Sequence, residues 1–229
     1  MLTPLVPVTL PSVYNNQPLP ARMALAAKDF SIALADLSAK LPGLRWSDLF
    51  RSYEMQKAAN ADYLQGRKKA FSPPPGGSLH EAGRAMDIDL STIGMSLEEF
   101  WAVLKPLGMV PIIAKPDPKT SEAWHFEYRG SHQLIYDYAA AGNVRADISP
   151  YKQAAASAIL GLGIHVDDVK DQSVALAQSA LIRLGYDPGP IDGDPGGRTL
   201  SALEKAGAAL ETAEGVLAPM LREKFPQEY

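Results

Sequence analysis

The chain contains no cysteine among its 229 residues. Disulfide bonds, thiolate nucleophiles and cysteine-ligated zinc are therefore all excluded. Only four histidines are present. Any metal site must be built from histidine, aspartate and glutamate side chains, so the spacing of those residues becomes informative.

The sequence also lacks a long apolar run and a long basic run. No apolar segment approaches the roughly 20 residues that a membrane-spanning helix needs. The net charge is −4, and the basic cluster is limited to Arg67, Lys68 and Lys69. We therefore expect neither membrane insertion nor nucleic-acid binding. The N-terminal segment has no basic leader and carries three prolines, so we do not predict a signal peptide.

Composition and length indicate a globular protein of two domains. Hydrophobic residues make up 46% of the chain and charged residues 21%, which is typical of a protein with a buried core. The composition changes near residue 150, where we place the domain boundary. We expect an α+β fold for residues 1–150, with a small antiparallel sheet and flanking helices. Residues 151–229 are predicted to form a three-helix bundle, with helices over 174–184, 198–206 and 212–224.

Hydrophobic periodicity predicts two strands with polar faces in the first domain. In residues 85–90, Asp87 and Asp89 share one face, and in residues 123–128, His125 and Glu127 share one face. A short strand or a turn is predicted near Phe50–Tyr53, and a further strand over 108–113. The predicted helices cover 20–40, 55–70, Ser96 to Leu107 and 131–142.

A candidate metal site follows from these strands and one more histidine. His80, Asp87 and His125 supply two imidazoles and one carboxylate, a set that suits catalytic zinc and leaves a fourth position for water. Gly83 lets the chain turn between the first two ligands, so that both point inward. The sequence therefore predicts Zn²⁺ as the cofactor.

Hydrolysis at such a site also needs a base that accepts a proton from water. Strand alternation favours Glu127, which shares a face with His125. Glu122 lies on the edge of the preceding loop, from which it could reach over the metal. The residues alone leave both glutamates open.

The motifs in this region resemble those of the zinc D-Ala-D-Ala peptidases, family M15. The family pattern S-x-H-x-x-G-x-A-x-D is matched over Ser78–Asp87, and its E-x-x-H pattern over Glu122–His125, with Trp124 before the histidine. Phe50–Gln56 resembles a third motif, Y-R-S-x-x-x-Q, with phenylalanine replacing the usual tyrosine. The resemblance spans about residues 20–140.

This resemblance assigns roles to the matched residues. It implies zinc on His80, Asp87 and His125. It implies Glu122, rather than the alternative glutamate of the strand, as the base that activates water. It also implies that Arg51 polarises the scissile carbonyl and stabilises the developing oxyanion.

Three further polar residues allow two readings each. Ser78 and Gln56 are candidate hydrogen-bonding partners of a substrate, and Asp89 is a candidate for orienting a ligand histidine or binding a substrate amine. The alternatives are a turn-capping serine, a helix-surface glutamine and a solvated aspartate. His132 and His165 have no partner pattern, and we interpret both as surface residues.

Residues 174–207 resemble the peptidoglycan-binding domain 1 family. Two departures are Pro195, where an aromatic residue is common, and the absence of the terminal Phe-Gln pair. The resemblance implies peptidoglycan as a partner, whereas a helical module that only packs on the catalytic domain is the alternative. The matched residues are Gln178, Leu181, Leu184, Gly185, Tyr186, Gly189, Asp192, Gly193, Gly196, Thr199, Ala202 and Leu203.

Together the two resemblances imply a monomeric zinc peptidase that hydrolyses an amide bond in the stem peptides of the bacterial cell wall. D-Ala-D-Ala carboxypeptidase and L-Ala-D-Glu type endopeptidase activities are both compatible with the motifs, as is a phage endolysin. The alternatives are a cytoplasmic D-Ala-D-Ala dipeptidase and a catalytically inactive wall-binding protein whose zinc is structural. The sequence leaves open which bond is cut, the phage or bacterial origin, and the localisation.

Overall fold

The structure, a computed structural model, describes residues 1–14 and 17–229 of the chain. The architecture is mixed α/β, with small antiparallel sheets and several helices, so the α+β class is confirmed at this level. The described residues form two compact units. One is Leu5–Gly130, and the other joins Met1–Pro4 to Ser131–Tyr229. The second unit thus begins earlier than the composition change near residue 150.

Among the described residues, the strands of the first unit are β1 (Leu5–Pro7), β2 (Leu25–Ala27), β3 (Trp46–Asp48), β4 (Ala85–Ile88), β5 (Met109–Pro111) and β6 (His125–Tyr128). They form two antiparallel sheets. One sheet pairs β1 with β2, and the other has the strand order β3-β4-β6-β5. The α-helices of this unit are α1 (Lys28–Lys40), α2 (Tyr53–Leu64) and α3 (Leu97–Leu104).

Several predicted elements of this unit differ from the structure. The helix predicted over 55–70 covers Tyr53–Leu64 instead, and residues 65–71 are not helical. The helix predicted from residue 20 begins only at Lys28, because residues 25–27 form β2 and pair with β1. Of the two alternatives near Phe50–Tyr53, the strand is wrong. Here Ser52 caps α2, and its hydroxyl oxygen accepts a hydrogen bond from the Met55 N–H at 3.3 Å.

The core of the first unit supports the strands that carry the candidate ligands. Phe100 of α3 and Phe126 of β6 are both fully buried, and their rings meet edge to face at 5.4 Å between centroids. Trp46 of β3 and Phe30 of α1 are also fully buried. Burying each such side chain contributes about 1.5–3 kcal/mol to folding. The strands that carry Asp87 and His125 are therefore backed by a buried apolar layer.

The second unit is helical. Its described α-helices are α4 (Gln133–Tyr138), α5 (Pro150–Leu160), α6 (Gln172–Leu184), α7 (Gly197–Lys205) and α8 (Ala213–Lys224). The last three match the predicted helices, but α4 and α5 pack in the same unit, so a simple three-helix bundle is not confirmed. Ser149 caps α5, with Pro150 at its first position. No α-helix among the described residues is long and apolar enough to cross a membrane.

The two histidines of the second unit differ in exposure. His165 is exposed, as predicted, and lies 3.4 Å from Asp167. The surface prediction for His132 is wrong, because that side chain is only 1% exposed. Its Nδ1 atom lies 2.7 Å from the Ser157 hydroxyl, which in turn lies 2.6 Å from the Ser179 hydroxyl. The two serine hydroxyls therefore provide a polar environment for the buried side chain of His132 between the helices.

Candidate metal centre

Two of the candidate ligands face each other across neighbouring strands. Asp87 of β4 and His125 of β6 are direct partners in the antiparallel ladder. Side chains of such partners project to the same face of a sheet. The Nδ1 atom of His125 lies 2.8 Å from Oδ1 of Asp87. The sheet register thus brings together two residues that are distant in sequence.

The third candidate ligand enters on a short 3₁₀ turn, Leu79–Ala82. Nε2 of His80 lies 3.2 Å from Nδ1 of His125 and 3.3 Å from the Asp87 carboxylate. The turn ends at Gly83, which has a left-handed φ of 58°. A Cβ atom there would lie 2.6 Å from the side chain of Leu5. Glycine is therefore required for the chain to pass from His80 into β4.

The donor set fits a zinc ion. One donor atom from each of His80, Asp87 and His125 lies within 4.8 Å of the others, and all three residues are buried. Nδ1 of His80 lies 2.6 Å from the carbonyl oxygen of Leu49. Because that oxygen only accepts, Nδ1 carries the proton and the lone pair of Nε2 faces the cluster. A backbone carbonyl commonly fixes a metal-binding imidazole in this way.

His125 lies between two carboxylates. Its Nε2 atom, on the side away from Asp87, is 3.7 Å from Oε1 of Glu127, too long for a hydrogen bond. Glu127 is fully buried, and its other oxygen pairs with Arg129 at 2.9 Å. Although burial acts to lower it, the hydrogen bond to Asp87 and the negative charges of Asp87 and Glu127 raise the pKa of His125 to about 10. The surroundings of this ring therefore favour positive charge, as a cation site requires.

Asp87 is held ionised. Burial acts to raise the pKa of its carboxyl, but the charges and hydrogen bonds of His80 and His125 hold it well below its usual range. Its second oxygen, Oδ2, lies 3.3 Å from Nη2 of Arg51. One oxygen thus faces the imidazoles while the other faces a guanidinium.

Arg51 is fixed on three sides. Its Nε atom donates to Asp48 at 2.6 Å, Nη1 donates to Oε1 of Gln56 at 3.3 Å, and Nη2 approaches Asp87. The residue is 9% exposed. Such a guanidinium is pre-organised, because little side-chain freedom remains to be lost when it meets a negative charge.

Gln56 was predicted to contact a substrate, but the structure places it behind Arg51. The residue is fully buried. Its amide nitrogen donates to the Pro73 carbonyl at 2.7 Å and to the Ser72 hydroxyl at 3.1 Å. Its carbonyl oxygen accepts from Arg51. The amide therefore links the guanidinium to the loop after α2.

Glu122 lies in the turn that leads into β6. The Glu122 carbonyl accepts the His125 N–H at 3.0 Å. The residue has φ of 69°, and it alone among the described non-glycine residues has a left-handed backbone. Its Oε1 atom is buried and has no hydrogen-bond partner among the described residues. Burial, and then the charge of Asp87, raise the pKa of this carboxyl.

The remaining predicted substrate contacts act as caps in this structure. The Ser78 hydroxyl accepts the N–H of His80 at 3.3 Å at the start of the 3₁₀ turn. Asp89 lies beyond the end of β4. Its Oδ1 accepts from the backbone and the hydroxyl of Ser91 at 2.9 and 2.7 Å. The contact of Ser78 corresponds to the turn-capping alternative, whereas Asp89 is neither a solvated strand residue nor in contact with a candidate ligand histidine in the described structure.

Two contributions to the site were missed by sequence reasoning. Asp48 fixes Arg51, and the carbonyl oxygen of Leu49 fixes His80. Asp48 had a detectable signal, since an acid three residues before an arginine can form an ion pair. The carbonyl of Leu49 had none, because its position depends on where β3 ends.

Several residues of the second unit that carry the resemblance to the peptidoglycan-binding family form hydrogen bonds with one another. Nε2 of Gln178 lies 3.0, 3.0 and 3.1 Å from oxygens of Asp192, Asp194 and Thr199. Its Oε1 accepts the N–H groups of Asp192 and Gly193 at 3.1 and 2.9 Å. Gln178 is 1% exposed. These matched residues therefore secure the loop before α7.

No protein-family model matches this chain, and no curated protein matches it. Several solved structures are similar to part of it, including two peptidases. One is the LdcB LD-carboxypeptidase, described as revealing the molecular basis of peptidoglycan recognition, at 20% identity over 54% of this chain and 67% of that chain, with a TM-score of 0.42. The other is a mutant of the vancomycin resistance D,D-pentapeptidase VanY in complex with Zn(II), at 22% identity over 56% of this chain and 86% of that chain, with a TM-score of 0.32.

Proposed function

We propose that the chain is a zinc-dependent peptidase that hydrolyses an amide bond in the stem peptides of bacterial peptidoglycan. The observation that carries the proposal is the buried oxygen of Glu122, which has no hydrogen-bond partner among the described residues. It belongs to a carboxyl whose pKa is raised by burial and by the negative charge of Asp87, while the positive charge of His125 acts to lower it. A carboxylate and a fixed guanidinium beside the three donors suit catalysis, whereas a structural zinc needs neither.

The chemistry divides between the metal and the side chains around it. A zinc ion held by His80, Asp87 and His125 would supply a Lewis acid that acidifies water and polarises a carbonyl. Glu122 accepts the proton of the attacking water and then delivers it to the leaving amine. The raised pKa of Glu122 suits both roles, because it brings the carboxyl closer to neutral pH.

Arg51 has the complementary role. The negative charge that develops on the scissile carbonyl oxygen needs a donor that is already in place. Contacts with Asp48, Gln56 and Asp87 hold the guanidinium before substrate arrives. Removing one comparable donor from a hydrolase costs about 2.7–4 kcal/mol of transition-state stabilisation.

The substrate class rests on the motif resemblances. The motifs over Ser78–Asp87 and Glu122–His125 resemble those of peptidases that act beside D-alanine, which supports a stem-peptide substrate. The resemblance of residues 174–207 to a peptidoglycan-binding family supports the intact wall over a free dipeptide. We include peptidoglycan binding by the second unit in the proposal. A second contact would raise the local concentration of stem peptides around the site.

Analysis of the reaction products tests the proposal and distinguishes the candidate peptidase activities. The zinc-loaded protein is incubated with purified peptidoglycan, with soluble stem peptides and with free D-Ala-D-Ala, and the products are identified by mass spectrometry. Release of terminal D-alanine indicates a carboxypeptidase, and a new N-terminus inside the stem indicates an endopeptidase. Cleavage of the free dipeptide alone would favour the dipeptidase.

The competing reading is an inactive wall-binding protein with a structural metal. Absence of cleavage of every substrate, together with retention of zinc, would support that reading and contradict the proposed function. Wall binding is measured separately with Glu122→Gln, which leaves the polymer intact. Failure of this variant to sediment with purified peptidoglycan would contradict the binding role.

A further inference from the structure

Glu81, the residue after His80, is a buried acid that the proposed chemistry does not use. The residue is 1% exposed. Its two carboxylate oxygens lie 3.1 and 3.0 Å from the N–H of Gly76, and one of them also lies 3.3 Å from the N–H of Ser78. No ion pair joins Glu81 to a cation among the residues that the structure describes. Backbone N–H groups of the preceding loop therefore hold this carboxylate.

A second capping box in the same unit shows how little of this arrangement local structure requires. Ser96 and Glu99 form it at the start of α3, with the same reciprocal contacts as Ser78 and Glu81. The Glu99 side chain is exposed and contacts only Ser96 among the described residues. Burial raises the pKa of Glu81 to about 7, against the hydrogen bonds from Gly76 and Ser78. Capping therefore explains neither the burial of Glu81 nor its contact with Gly76.

The contact with Gly76 secures one end of the segment Ser72–Ser78, here called the 72–78 segment. At the other end, the side-chain amide nitrogen of Gln56 donates to the first two residues of the segment, at 3.1 and 2.7 Å. The segment contains three consecutive prolines, which restrict its backbone. Inside it, the N–H of Gly77 donates to the Pro74 carbonyl at 3.1 Å. The segment is therefore a short and stiff connection between Gln56 and Glu81.

This connection belongs to a closed ring that includes two residues of the proposed mechanism. Gln56 accepts a hydrogen bond from Nη1 of Arg51 at 3.3 Å. The backbone N–H of Arg51 donates to the carbonyl oxygen of His80 at 3.2 Å, and Glu81 follows His80 directly in the chain. The ring thus runs from Arg51 through Gln56, the 72–78 segment, Glu81 and His80 back to Arg51.

We propose that Glu81 is a positioning residue that fixes the Arg51 guanidinium relative to His80. The inference rests on the proposed function and deepens it. By holding Gly76, Glu81 keeps the 72–78 segment, and with it the amide of Gln56, in place behind the guanidinium. A donor that stabilises a developing oxyanion must already be in position, and a small misplacement lowers the rate of the chemical step.

Kinetics of zinc-loaded Glu81→Gln test the proposal. The substitution keeps the shape of the side chain, but one accepting oxygen becomes an amide group that cannot accept the N–H of Gly76. We expect kcat on a soluble stem peptide to fall about tenfold or more, with KM and the zinc dissociation constant within about threefold of the wild type. Glu99→Gln changes the exposed capping box in the same way and is the matched control, with wild-type kinetics expected.

A double-mutant cycle separates positioning from general damage. Because Glu81 is proposed to act through Gln56, the variant that combines Glu81→Gln with Gln56→Met should be no slower than the slower single variant. Independent effects would instead multiply the two losses of kcat. That result, or wild-type kcat in Glu81→Gln, would overturn the proposal. If Glu81→Gln does not fold, Ser72→Ala replaces it in the cycle and should also lower kcat, so wild-type kcat in Ser72→Ala would overturn the proposal.

Proton–nitrogen NMR spectra follow Arg51 without requiring turnover. Its Nε–H should exchange slowly with water in the wild type, because Asp48 accepts it at 2.6 Å and the side chain is buried. Glu81→Gln should accelerate this exchange about tenfold, whereas Glu99→Gln should not. Faster exchange in a protein that cleaves no stem peptide would reject the proposed hydrolysis while retaining the positioning role. Unchanged exchange in Glu81→Gln would overturn the positioning role even if the wild type is an active peptidase.

Discussion

Glu127 and Asp87 lie on opposite sides of the His125 ring, at 3.7 Å from Nε2 and 2.8 Å from Nδ1 respectively. The ring therefore presents Nδ1 to the metal centre and Nε2 to a buried carboxylate. Glu127, which strand alternation favoured as the base, lies behind this ring and is paired through its other oxygen. Its partner Arg129 holds the carboxylate in turn.

Glu127→Gln should weaken zinc binding about 10- to 100-fold, the usual loss when a carboxylate behind a metal-binding histidine is removed. The physical reason is that the amide no longer supplies negative charge to Nε2 of His125. Competition with a chelating dye measures the dissociation constant. Glu122→Gln is the matched control and should bind zinc like the wild type. A larger loss of affinity in the control would reverse the two roles.

His80→Ala should abolish stoichiometric zinc binding, because the variant retains only two of the three donors. Elemental analysis of the purified protein measures the metal content. In the wild type, zinc at 100 times its dissociation constant should stabilise the folded state by about 2.7 kcal/mol. The variant should show little of that stabilisation in a thermal melt. Full zinc occupancy in His80→Ala would show that the ligand set is wrong.

Glu122→Gln should lower kcat by at least about 100-fold, since a positioned general base contributes 10²- to 10⁴-fold. The amide cannot accept the proton of water, but it fills the same space, so fold and metal content should be unchanged. Steady-state cleavage of a soluble stem peptide gives kcat and KM. Activity within threefold of the wild type would exclude Glu122 as the base.

Gln56→Met should lower kcat roughly 10- to 100-fold without changing the zinc content. The substitution keeps the buried volume but removes the amide that holds Arg51, and small misplacements of a catalytic group carry penalties of this size. Lys57→Met, on the exposed side of the same helix, is the control. A raised KM with unchanged kcat would instead indicate that Gln56 contacts the substrate.

Gly193→Ala should destabilise the helical unit by more than about 1 kcal/mol. Gly193 has φ of 73°, and an added Cβ would lie 2.4 Å from the backbone nitrogen of Asp171. Gly196→Ala is the control, because φ is −68° there and nothing lies within 4 Å of the new Cβ. Differential scanning calorimetry compares the two. Equal unfolding temperatures would mean that the loop before α7 adjusts without cost.

The sequence predicted that His80, Asp87 and His125 would lie together, and the structure brings them together, largely because this arrangement depends on local periodicity. Alternation along β4 and β6 placed Asp87 and His125 on polar faces, and the antiparallel register then made them neighbours. The need for Gly83 was also visible, since a sharp turn must separate His80 from the strand. The strand alternation and the turn at Gly83 each depend on only a few neighbouring residues, so both are visible in the sequence.

Other features depend on tertiary packing and were not predictable in the same way. Gln56 sits on a helix of low amphipathicity, so nothing in its neighbours indicated that it would be buried behind Arg51. His132 had no partner in sequence, because Ser157 and Ser179 approach it only when three helices pack. Helix α5 was overlooked since its buried side is mostly alanine, which gives a weak periodic signal.

At Glu122, the left-handed backbone lowers the stability of the fold, whereas the side chain is needed for the proposed chemistry. A left-handed conformation costs a residue with a side chain about 1–2 kcal/mol, whereas glycine adopts it freely. Replacing Glu122 by glycine would relieve that strain. It would also remove a half-buried carboxylate that is repelled by the like charge of Asp87. Laboratory evolution that rewards heat resistance alone would therefore drift toward glycine here, and only continued demand for turnover would retain the acid.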